Sequence, residues 1–95
     1  MSEKVVVTRH PALIQYLIEK GLANESVKVI SHASPDDIRG KDVIGVLPLS
    51  LACLAESVTE IPLKLDESMR GKELSIDEMR EIAGEPVVYK VQKNR

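Results

Sequence analysis

The feature that most constrains this chain is a short, unbroken apolar run that ends at a proline opening a helical pattern, and it occurs twice. Val5-Val6-Val7-Thr8 leads to Pro11, after which Leu13, Ile14, Leu17 and Ile18 recur at helical spacing. Asp42-Val43-Ile44-Gly45-Val46-Leu47 leads to Pro48, and Leu51, Leu54, Ala55 and Val58 then follow at the same spacing. Runs that do not alternate with polar residues fit strands covered on both faces. A proline in the first turn of a helix removes only an N–H that would lack a partner anyway. Strands separated by helices can pair as parallel neighbours, because that pairing needs a crossover.

The rest of the chain fits the same plan. Val27-Lys28-Val29-Ile30-Ser31 reads as the second strand. Ser34-Pro35-Asp36-Asp37 reads as one capped turn, and Ser75-Ile76-Asp77-Glu78 as a full capping box ahead of the stripe Ile76, Met79, Ile82. Ile61, Leu63 and Leu65 alternate with Pro62 and Lys64, which predicts a fourth strand, at an edge because Pro62 cannot donate to a ladder. Val87–Val91 is the last strand, with its direction open. The expectation is one α/β domain over residues 1–95, a mainly parallel sheet flanked by helices, with strands one and three central.

Composition narrows the function. Lys and Arg number 13 against 15 Asp and Glu, so duplex DNA is not an expected partner. Two tyrosines and no Trp or Phe leave no broad stacking platform for single strands. Cys53 is the only cysteine and reads as a small core residue, so no disulfide and no cysteine-held zinc is expected. No apolar run approaches the ~20 residues of a membrane helix. Met1-Ser2-Glu3-Lys4 runs into a strand rather than a signal peptide, so a cytoplasmic location is expected. Neither of the usual glycine-rich nucleotide loops is present, and no metal or cofactor is expected.

In open α/β sheets, ligands bind beyond the carboxyl ends of parallel strands, near helix N-termini. That rule selects Thr8-Arg9-His10, Ser31-His32, Leu47-Pro48-Leu49-Ser50 and the loop Asp66–Leu74 with Arg70, Gly71 and Lys72. Both histidines and Arg9 fall on this edge, which suits an anion. The plainer alternatives stay open for each residue alone: His10 and Ser50 as helix caps, His32 as a loop residue, Arg70 and Lys72 as solvated charges.

Val6-Val7-Thr8-Arg9-His10-Pro11, Ser31-His32, Asp42–Pro48 and Leu65 through Met69-Arg70-Gly71-Lys72-Glu73-Leu74-Ser75 resemble, in that order, a small accessory family found beside type III CRISPR systems. The resemblance spans Val5 to about Val91. It implies a Rossmann-like domain and a homodimer that binds cyclic oligoadenylate, chiefly cyclic tetra-adenylate, and cleaves it as a ring nuclease. With that ligand, His10 is the leading acid–base candidate and His32 the second. Arg9 becomes the phosphate stabiliser, and Thr8 and Ser50 supporting donors, with Ser31, Leu49, Arg70 and Lys72 completing the binding set. A sponge or sensor that leaves the ring intact, and an interaction protein without a nucleotide, remain open.

Overall fold

The computed structural model describes residues 3–65, 67–69, 71 and 73–94. The elements in chain order are β1 (Lys4–Val7), α1 (Pro11–Glu19), β2 (Lys28–Ile30), α2 (Pro35–Ile38), β3 (Asp42–Gly45), α3 (Leu49–Ala52), β4 (Ser57–Glu60), α4 (Ile76–Ile82) and β5 (Val87–Tyr89), with a 3₁₀ turn at Glu67–Met69. They form a Rossmann-like α/β domain around one sheet of order β2-β1-β3-β4-β5. β2, β1, β3 and β4 are parallel, and β5 runs antiparallel against β4. Strands one and three lie inside the sheet, as their unbroken apolar runs require.

Register explains the two layers. Val5 faces Val43 across the ladder and Val6 faces Ile44, and successive residues of a strand point to opposite faces. Val6 and Ile44 therefore pack under α1 and α4, with Leu13, Leu17, Met79 and Ile82. Val43 and Val58 pack on the other side, with Ile38 of α2 and Ala52 and Ala55 around α3. Each capped helix start forms as its sequence predicts. The Ser75 hydroxyl accepts from Glu78 N at 3.2 Å, and the Glu78 carboxylate accepts from Ser75 N at 3.0 Å. The Asp37 carboxylate accepts from the Ser34 amide at 3.0 Å and its hydroxyl at 2.8 Å. Those two bonds hold the Asp37 carboxyl below its ordinary value. Arg80 of α4 reaches Glu19 of α1, with Nε 3.0 Å from Oε2 and Nη2 also bonded to Oε1. These bonds lower the Glu19 carboxyl and raise the Arg80 guanidinium.

The structure corrects the reading of residues 48–65. The helix after Pro48 stops at Ala52, and Val58 belongs to β4 rather than to that helix. Leu51, Leu54, Ala55 and Val58 satisfy helical spacing, yet Ser57-Val58-Thr59-Glu60 also alternates as a strand. Contacts distant in sequence decide between the two. Glu56 N donates to Lys41 O at 2.8 Å, and the Ser57 hydroxyl donates to Asp42 Oδ1 at 2.7 Å, which locks the start of β4 to the start of β3. β4 is thus interior, and Pro62 lies past its end, where no ladder hydrogen bond is lost. Residues 61–65 contribute one bridge, Leu63 to Ala83, in place of a fourth strand. β3 likewise ends at Gly45, leaving Val46 74% exposed.

Candidate functional site

The site is built from three neighbouring strand ends. Thr8 N still donates to Ile30 O at 3.0 Å, so the chain leaves the sheet only at Arg9. The Thr8 hydroxyl then accepts from His10 N at 3.1 Å, a local turn that directs the backbone into α1. His10 occupies the N-cap with an extended backbone, and its carbonyl accepts from Leu13 N at 3.0 Å. Its imidazole makes no capping bond. The ring is exposed and has no hydrogen-bond partner among the described residues, so the histidine serves the helix through its backbone alone.

The pairing of Val7 with Ile30 sets Ser31-His32 beside Thr8-Arg9. Arg9 Nη2 lies 3.1 Å from His32 Nδ1 and 3.1 Å from its Nε2. Among the described residues no carboxylate pairs with Arg9, in contrast to Arg39, Lys41, Arg80 and Lys90. At the third strand end, Gly45 has φ +145°, and a Cβ there would meet the Val7 carbonyl oxygen at 2.2 Å. Only glycine lets β1 and β3 run that close while the chain turns away.

These ends enclose a cavity of about 330 Å³. Thr8, Arg9, His10 and Ser31 line it with polar groups, and Leu13, Ile61 and Leu63 form its apolar wall beside Gly45 and Val46. Four of the sequence-selected residues therefore converge. His32 touches Arg9 without lining the cavity. Leu49 and Ser50 lie on the opposite face of the sheet, around a separate cavity of about 440 Å³ with Cys53, Leu54 and Val91. Cys53 is half-buried there, its thiol 3.3 Å from Ser50 O. Arg70 and Lys72 lie outside the described residues. Sequence reasoning missed Gly45, Ile61 and Leu63 as lining residues. A glycine inside a β-branched run signals a close backbone approach, and for Gly45 it was the available clue.

Among the described residues, no three His, Cys, Asp or Glu side chains gather to hold a metal ion, and no helix is long and apolar enough to cross a membrane. Fold and cavity together define a Rossmann-like α/β domain whose cationic and hydroxyl side chains meet at the carboxyl ends of its parallel strands. Over residues 5–92 the sequence matches one family model, and the chain belongs to that family, described as "Putative CRISPR-associated protein (Cas_VVA1548)". No curated protein and no solved structure matches the chain significantly.

Proposed function

We propose that this protein is a ring nuclease of type III CRISPR defence, which binds cyclic tetra-adenylate in the cytoplasm and cleaves it to end signalling. One observation carries the reading: in a chain of a CRISPR-associated family, Thr8, Arg9, His10 and Ser31 line one strand-end cavity, with no carboxylate among the described residues paired to Arg9. A guanidinium can donate two N–H bonds to a phosphate, and the first turn of α1 adds a favourable dipole.

The reaction needs no external nucleophile. A ribose 2′-hydroxyl attacks the adjacent phosphorus, the P–O2′ bond forms and the P–O5′ bond breaks. The products are a 2′,3′-cyclic phosphate and a 5′-hydroxyl. The proton leaving the 2′-oxygen and the proton gained by the 5′-oxygen balance, and His10, whose ring makes no capping bond, is the group we assign to their transfer. Arg9 offsets charge as it develops on the phosphoryl oxygens.

A cavity of about 330 Å³ is at the small end of the roughly 300–1,000 Å³ that drug-sized ligands occupy. It suits one nucleotide of a four-nucleotide ring, and a second copy would hold the nucleotide opposite. Val46 and Leu49, 74% and 76% exposed near this end of the sheet, are apolar surface available for that pairing. A two-fold dimer also presents the same pocket twice to a ring of repeated phosphates.

Labelled cyclic tetra-adenylate mixed with the protein and EDTA tests this directly. Wild type is expected to yield linear product ending in a 2′,3′-cyclic phosphate. His10→Asn keeps a capping residue and is expected to bind the ring while cleaving about 10²–10⁴-fold more slowly. An intact bound ring with wild type would make the protein a sponge or sensor. No binding at all would end the reading.

A further inference from the structure

We infer that His32 is a positioning residue that orients the Arg9 guanidinium toward the strand-end cavity, rather than a second proton-transfer group. The inference rests on the function proposed above. Its basis is the order in which the groups are stacked: Arg9 lines the cavity, whereas His32 does not and meets Arg9 instead. A group that does not face the cavity is poorly placed to exchange protons with a ring bound in it. It can act on that ring through the residue between them.

The contact has a specific chemistry. A guanidinium has only donors, so the histidine nitrogen that meets it must carry a lone pair. Nη2 is 3.1 Å from both ring nitrogens, so it sits against the face of the ring, and a rotation of the ring turns the lone pair of whichever nitrogen is unprotonated toward it. The imidazolium offers none and sets a cation against a cation. Arg9 is exposed and pairs with no carboxylate among the described residues, so His32 is its one anchoring side chain there. A neutral anchor has an advantage over an acidic one. A carboxylate would cancel the charge that a phosphate needs, whereas imidazole restrains the guanidinium and leaves its charge intact. The register of β1 on β2 makes the pair, because Val7 opposite Ile30 places the residues two beyond each in one plane of approach.

Restraining a rotamer-rich side chain before binding is worth roughly 2- to 12-fold in affinity. His32→Ala is therefore expected to weaken ring binding by that factor, with the same direction as Arg9→Ala. In Arg9→Ala/His32→Ala the second change should add nothing. His32→Gln is the decisive variant, since its amide oxygen accepts from a guanidinium but cannot transfer protons. It should recover most of the affinity and cleavage lost in His32→Ala. Cleavage lost in His32→Gln as fully as in His32→Ala, with binding intact, would overturn the inference in favour of proton transfer. So would independent, multiplying losses in the double variant. Nitrogen NMR of the ligand-free protein separates this inference from the proposed function. The Arg9 guanidinium signals should change in His32→Ala and return toward wild type in His32→Gln, whether or not the ring binds. Signals unmoved in His32→Ala would overturn the anchoring itself, and a wild type that ignores the ring would instead remove the proposed ligand.

Discussion

The two ends of the sheet carry cavities of opposite character. At the amino end, a space of about 590 Å³ lies between Glu3-Lys4 and the segment from Gly21 to Lys28. It is larger than the 330 Å³ cavity at the carboxyl end, yet its polar groups are largely spent on the fold. Lys4 Nζ donates to Leu22 O at 2.8 Å, Glu3 pairs with Lys41 at 3.4 Å, and Asn24 Oδ1 accepts from both the amide and the hydroxyl of Ser26. At the carboxyl end, Arg9 meets the His32 imidazole and, among the described residues, no carboxylate, and the His10 ring caps nothing. Volume therefore ranks these two spaces in the wrong order, and the state of their polar groups ranks them in the order function needs. The cause is directional. β1, β2 and β3 each deliver the chain to a helix N-terminus at one end, so donors and cations gathered there are left to face a ligand.

A glycine at each end gives the strongest way to break this contrast. Gly45→Ala places a methyl 2.2 Å from the Val7 carbonyl in a backbone region that L residues rarely adopt. It should destabilise the fold by about 3 kcal/mol or more and spoil the carboxyl-end cavity. Gly21, at φ +73° beside the amino-end cavity, has nothing within 4 Å of its added methyl. Gly21→Ala should cost only the left-handed penalty of about 1–2 kcal/mol. Urea denaturation of both variants checks the difference, and equal losses would mean that β1 and β3 are not pinned at Gly45.

Charge offers the next test. Arg9→Ala should weaken cyclic tetra-adenylate binding by about 1.5–3 kcal/mol, the range for a charged hydrogen bond, and the loss should shrink in high salt. Lys4→Ala, at the opposite end, should leave affinity unchanged. Similar losses from both substitutions would show that general positive charge holds the ring, and would erase the distinction between the two ends.

The smallest effect is on acid stability, away from both cavities. The Arg80 hydrogen bond holds the Glu19 carboxyl below its ordinary 4.5, and the Ser34 amide and hydroxyl hold Asp37 below its ordinary 3.8. A carboxyl lowered in the folded state stabilises the fold above its unfolded value, and that contribution disappears as pH falls through the folded value. Stability should therefore decline as pH drops below these ordinary values, and Arg80→Met should lower stability at neutral pH while flattening the decline. A variant whose deficit stays constant into acid would show that Arg80 acts through packing alone.

What the sequence by itself determined is local. Proline-opened helices, the Ser34 and Ser75 caps, and the central β1 and β3 follow from hydrogen bonds and periodicities that span a few residues. The same rules placed Thr8, Arg9, His10 and Ser31 at one edge, because a strand's end and the next helix's start are adjacent in the chain. The tertiary structure alone decided what depends on partners distant in sequence. Residues 51–58 satisfied two periods, and β4 prevailed through its pairing with β3 and its anchor on Lys41 and Asp42. β5 turned antiparallel on β4, Leu49 and Ser50 went to the far face, and His32 came to rest against Arg9. Each of those outcomes is set by strand order and by register, in which a shift of one residue sends a side chain to the opposite face.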